Sequence, residues 1–209
     1  MATITAAKFL AELSTSVGDV VNRRVFGGDP WVFRDDPKHY ALLKAHLVGA
    51  LGISADGITV VGSAKIGFSL SPDTFGRPFS DSSDVDVVIV DLGLFDELWN
   101  VLLDWRYPWH LRKWPERERE WGLGWLERFV CGWCDPIDIM FGGIVAPRSY
   151  PPIRDFSRRW FDAFKSLATH PDLAGRDFVG RLYRSWDHAL RYQSNGLNQV
   201  LKRFPRKSR

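Results

Sequence analysis

Apolar residues recur at helical spacing from the start of the chain. Phe9, Leu13, Val17 and Val20/Val21 fall on one face and predict a first helix. Gly27-Gly28-Asp29-Pro30 breaks the pattern. Pro37, a good first-turn residue, then opens a second helix to about Leu51 with Tyr40, Leu43 and Leu47 inward. The period changes at Ile58-Thr59-Val60-Val61, a β-branched run between Gly57 and Gly62 that predicts a buried strand. Residues 63–83 are rich in Gly, Ser, Pro and Asp and read as loop, with a short helix following Gly62-Ser63. Residues 85–90 predict a second strand and 94–103 a helix.

Between 105 and 125 the pattern mixes tryptophans with charge and reads as one or two helices laid over the domain. A third strand is expected over 137–141, ended by Gly142-Gly143. Beyond Pro151-Pro152 the period is helical again: Phe156, Trp160, Phe164 and Leu167 form one stripe, and Leu182, Trp186, Leu190, Leu197 and Val200/Leu201 another. The expected fold is α/β (α+β), a mixed sheet flanked by helices with a helical C-terminal part. Residues 1–150 are read as the core, with N-terminal helices and a Trp-rich insertion. Residues 151–209 are read as a helical part packed on it.

Composition narrows the class. With 209 residues, 45% apolar and 25% charged, the chain can bury a real core and is not a disordered one. No apolar run approaches the roughly 20 residues a membrane span needs. Residues 1–10 lack a signal-peptide pattern, and two cysteines suggest no disulfide framework. A cytoplasmic protein with no membrane insertion is expected. The net charge of +3 hides a split: residues 1–100 carry 8 Lys/Arg against 13 Asp/Glu, and residues 148–209 carry 14 against 5. Such a division suits a site where carboxylates and cations meet.

Asp84 and Asp86 are the most informative acids. Side chains alternate on a strand, so the two share a face about 6.5–7 Å apart, while Val85, Val87 and Ile89 turn to a core. Two bare carboxylates opening an apolar strand repel one another, and a divalent cation relieves that. Asp138 is a further lone acid in Ile137-Asp138-Ile139-Met140-Phe141. Three carboxylates on adjacent strands suit a metal pair for phosphoryl displacement. A turn cap or a solvated edge is the bland alternative for the Asp pair. A calcium loop over 81–92 fails, because its sixth and twelfth positions are Asp86 and Leu92. The turn Gly62-Ser63-Ala64-Lys65-Ile66-Gly67 follows a buried strand and suits a phosphate, yet it is not a P-loop, since Lys and Ser/Thr do not follow Gly67.

Gly62-Ser63, Ser83-Asp84-Val85-Asp86 and Asp138 together resemble the signature of the polymerase-beta-like nucleotidyltransferase superfamily. The resemblance covers residues 58–141. It implies transfer of a nucleotide from an NTP or dNTP to a hydroxyl acceptor, with two Mg²⁺ ions (or Mn²⁺). It also implies Ser63 as a phosphate ligand, Asp84 and Asp86 as ligands of both metals, and Asp138 as the group that activates the acceptor. Gly62, Lys65 and Ser83 lie in the same motifs and join the nucleotide-binding set. Twenty residues separate Ser63 from Asp84, more than in many members. The extra segment around Ser71 to Phe79 is a candidate loop over the nucleotide.

Arg181, Arg184, His188 and Arg191 are spaced to share one face of a last helix, either contacting triphosphate or nucleic acid or forming a solvated stripe. Lys165, on the preceding helix, is a further candidate for the phosphates. Seven of the ten tryptophans lie between Trp99 and Trp133, as core or as base-stacking surface. Cys131 and Cys134 have metal spacing without a second pair and read as ordinary buried thiols. The basic last third points to a nucleic acid or oligonucleotide acceptor, and analogy to bacterial antiphage defence or toxin–antitoxin systems, with a partner effector or toxin. The alternatives are a non-catalytic antitoxin or binding subunit of the same fold, and an enzyme that nucleotidylates a small molecule or protein.

Overall fold

The computed structural model describes residues 4–107, 116–136, 150–173 and 175–205, and only the backbone at 117–119, 121 and 122. Its N-terminal helices are α1 (Ala6–Leu13) and α2 (Val17–Val20), the latter running on as a π-helical turn, Val21–Phe26. The single helix expected here is therefore broken in two, and the cause is local. Ser14 Oγ donates to the Leu10 carbonyl at 2.8 Å, and Ser16 Oγ accepts from the Asp19 N–H at 3.3 Å as a new N-cap. Phe9, Leu13, Val20 and Val21 are nonetheless buried in one cluster, as their spacing implies.

Helix α3 (Lys38–Leu51) buries Leu43, Leu47 and Leu51, and strand β1 (Ile58–Val60) leads into the short α4 (Gly62–Ile66). Strand β2 (Val85–Val90) and helix α5 (Leu92–Arg106) follow, the latter capped by Asp91, which accepts from the Leu94 N–H at 2.7 Å. Helix α6 (Glu116–Val130), the two-residue strand β3 (Trp133–Cys134), α7 (Pro151–Thr169), β4 (Phe178–Tyr183) and α8 (Trp186–Arg203) complete the chain. The strand expected over 137–141 lies outside the described residues.

The sheet is mixed, in the order β1-β2-β4-β3, with β2 and β4 parallel and both outer pairs antiparallel. Residues 178–183 form a central strand and not the start of a last helix, which corrects the helical stripe drawn through Leu182. The sequence explains it in hindsight: Phe178 and Leu182 turn to one face and Val179, Arg181 and Tyr183 to the other, a period of two. Gly180 sits where a Cβ would lie 2.1 Å from the Phe164 ring, so α7 approaches β4 closely only because the side chain is missing. The C-terminal segment thus supplies a central strand as well as two helices.

Alternation on β2 divides the core. Val85, Val87 and Ile89 pack with Leu43, Leu98, Trp160, Phe164 and Leu167 under α3, α5 and α7. Val88 packs with Phe9, Leu13, Tyr183, Leu197 and Val200 under α1, α2 and α8. Asp84 and Asp86 belong to this second face by the same alternation. Among the described residues, no helix is long and apolar enough to cross a membrane.

Candidate active-site cleft

On the second face, a cleft of about 160 Å³ opens between the β1–α4 turn, β2, β4 and α8. Val61 is extended, and its N–H donates to the Asp86 carbonyl at 2.9 Å, which ties the turn to β2. Gly62 then takes φ +67°, a conformation other residues rarely adopt, and lies against the Asp86 carboxylate: a Cβ there would be 2.7 Å from Oδ2. Glycine is thus required by backbone angle, and its missing side chain leaves room for the Asp86 carboxylate.

Asp86 is open to solvent on one side. The protein around the cleft still removes enough water to push its carboxyl up to about 6; Arg181 opposes this, while Asp84 and Asp135 add to it. Arg181 donates from Nε to Asp135 Oδ1 at 2.7 Å and from Nη2 to Oδ2 at 3.3 Å. Its guanidinium lies 4.5 Å from the Tyr192 ring centre and 5.1 Å from that of Trp133. Enclosure works against its charge, but the bond to Asp135 outweighs this and holds it above the usual arginine value. Tyr183 is fully buried, and its Oη lies near Arg181 without a hydrogen bond of good geometry. Burial pushes this phenol well up.

The structure therefore brings Gly62, Asp86 and Arg181 together. Asp84 is exposed one residue before β2, close enough to repel the charge of Asp86. Ser63 is half-buried in the first turn of α4. The Ser83 hydroxyl is engaged in its own turn, 3.2 Å from both the Ser80 N–H and the Ser80 hydroxyl. Lys65 borders a different cavity, where its Nζ donates to the Gly28 carbonyl. Lys165 is exposed on α7, a helix that covers the opposite face of the sheet. Asp138 lies outside the described residues.

The arginine stripe expected on the last helix does not exist as such. Arg181 is on β4, and Arg184 follows it, 3.8 Å from Asp96 of α5. His188 Nδ1 is 2.7 Å from Ser185 Oγ, and Arg191 pairs with Asp187 at 2.9 Å on the surface. Asp135, Tyr183, Tyr192 and Gln193 border the cleft and were not among the sequence candidates. The alternation in 178–183 is the signal that would have placed Arg181 and Tyr183 correctly.

Trp105 and Trp125 are buried and Trp99 packs against the same core, so these serve packing; Trp109 and Trp114 lie outside the described residues. Cys134 is buried, but Cys131 is exposed, which corrects the expectation of two buried thiols. Its place in the turn after α6 puts it at the surface. The segment around Ser71 to Phe79 folds back on its own base: Phe79 N–H donates to the Gly67 carbonyl at 3.0 Å, and the Phe75 ring is 5.5 Å from that of Phe204 beyond α8. It supplies no residue to the cleft lining among the described residues.

No family model matches the chain, and no curated protein or solved structure matches it. Among the described residues, no group of three or more His, Cys, Asp and Glu side chains could hold a metal ion. Asp86 lines the cleft, and the exposed Asp84 lies outside that lining, one residue before β2. Mg²⁺ takes one or two carboxylates plus substrate phosphates, and Asp86, raised first by loss of water and then by Asp84 and Asp135, is an acid whose ionised form a cation would stabilise.

Proposed function

We propose that the chain is a metal-dependent nucleotidyltransferase that moves a nucleotide from an NTP or dNTP to a hydroxyl acceptor and releases pyrophosphate. The observation that carries this reading is the closed juxtaposition of Gly62 over Asp86, with Asp84 on the same strand face. Asp84 and Asp86 would hold Mg²⁺, or Mn²⁺, which when bound supplies positive charge to the triphosphate. The Ser63 hydroxyl donates to a phosphate oxygen. Arg181 stands where negative charge gathers on the departing pyrophosphate. The acceptor oxygen bonds to the α-phosphorus, the bond from that phosphorus to the bridging oxygen breaks, and Asp138 takes the acceptor proton.

The cleft is well below the roughly 300–1,000 Å³ of sites that enclose a whole small molecule. At about 160 Å³ it takes phosphate groups, and leaves sugar and base towards the surface. Exposed Arg184 lies outside it, as a contact for an acceptor nucleic acid or oligonucleotide. The proposed setting is cytoplasmic bacterial defence beside a partner effector or toxin. A second reading is a binding subunit without turnover, and the closed Arg181–Asp135 pair favours it, because the Arg181 charge is already matched by a carboxylate.

Incubation with each labelled NTP and dNTP, in Mg²⁺ or Mn²⁺, tests the proposal. Label should pass to RNA, DNA, a small acceptor or the chain itself, and Asp84→Ala and Asp86→Ala should each reduce it at least about 100-fold. Nucleotide binding without transfer to any acceptor would select the second reading.

A further inference from the structure

A second cavity, of about 450 Å³, opens at the other end of α4. Arg23, Arg24, Arg34 and Lys65 line it against one carboxylate, Asp29, beside the backbone of Gly27-Gly28. Two of these cations are largely engaged. Arg24 is held by Glu12 through bonds of 3.0 and 2.9 Å. Arg34 lies 3.6 Å over the Trp31 ring and 3.1 Å from Asp35. Arg23 reaches Glu12 only at 3.9 Å, and its side chain is 61% exposed.

Lys65 is the informative residue. It is 4% exposed, and its ammonium donates to the Gly28 carbonyl. An ammonium carries three donors, so this acceptor leaves two for a ligand. Burial pushes Lys65 down to about 8, with Asp29 working the other way. An enclosed cation in a cavity of net positive lining gains most from an anion. The remaining wall is apolar, with Pro30, Trp31 and Phe33.

We propose that this cavity binds a small molecule carrying a phosphate or diphosphate group, with the anion on Lys65 and Arg23 and the organic part against Pro30 and Trp31. Its volume lies within the range of about 300–1,000 Å³ typical of small-molecule sites. The site is separate from the Asp86 cleft. The two lie at opposite ends of α4, a helix of five residues and so about 7.5 Å long.

Calorimetric titration of the full chain with inorganic pyrophosphate, in EDTA to exclude divalent cations, tests it. Wild type should bind. Arg23→Gln, an exposed substitution that leaves the core intact, should weaken binding about tenfold or more, as loss of a charge-assisted bond does. Lys65→Met should do the same where it folds. No binding at millimolar pyrophosphate would overturn the proposal, as would unchanged affinity in Arg23→Gln.

Discussion

The two faces of β2 differ in one property from which most of the account follows. One face presents Val85, Val87 and Ile89 to α3, α5 and α7, and every position is buried. The other presents Asp86, Val88 and Val90, with Asp84 one residue before the strand; Val88 is buried, Val90 half-buried and both acids exposed. The first face is shaped by packing alone. The second gives up apolar burial at its N-terminal end, leaves a cleft there, and places an acid, an ion pair and a buried phenol around it. Asp86, raised chiefly by loss of water, opposes folding when ionised, and the proposed ligand would offset that cost.

The largest effect should come from the packed face. Trp160 is 1% exposed in the core beneath α7, and Trp160→Ala should cost about 3–5 kcal/mol, read as a fall in denaturant midpoint. A loss below about 1 kcal/mol would mean that this face is not the stabilising one.

Arg181→Met comes next. It strands Asp135, whose side chain is 16% exposed, so the cost should fall between the roughly 1 kcal/mol of a surface pair and the 3–5 kcal/mol of a broken buried one. A double-mutant cycle with Asp135→Asn isolates the pair. Additive losses would show that the two residues are not coupled.

Asp86→Asn should have the smallest and opposite effect. Folding raises the Asp86 carboxyl from about 4 to about 6, so its ionisation opposes folding. The associated stability is full below about pH 4 and is lost as pH rises through about 6. In EDTA the variant should therefore melt slightly higher than wild type at pH 7.5, and lack the wild-type decline between those values. A variant less stable than wild type at pH 7.5 would show that the ionised acid is already satisfied by its neighbours.

The packed face was largely legible in the sequence. The runs at 58–61 and 85–90 and the stripe Phe156, Trp160, Phe164, Leu167 signal their elements through periodicity, and the structure places them accordingly. The cleft was legible only in part. Gly62 and Asp86 stand out locally because their chemistry contradicts an apolar strand. Arg181 does not: Leu182 and Trp186 mimic helical spacing and mask the period-two alternation of 178–183 that marks the strand. Asp135 is paired by the register of β3 against β4, a long-range fact with no local trace. The break at Ser14-Thr15-Ser16 was missed for another reason, since capping hydroxyls interrupt a helix without disturbing its apolar period.

The central claim is that the acid-bearing face of β2 holds a divalent cation. Mn²⁺ binding measured by electron paramagnetic resonance, on wild type and on the Asp84→Asn/Asp86→Asn double variant, tests it most directly. Wild type should take up Mn²⁺ with a clear loss of free-ion signal, deepened by an added nucleoside triphosphate, and the double variant should leave the ion free. Equal uptake by both proteins would contradict the claim.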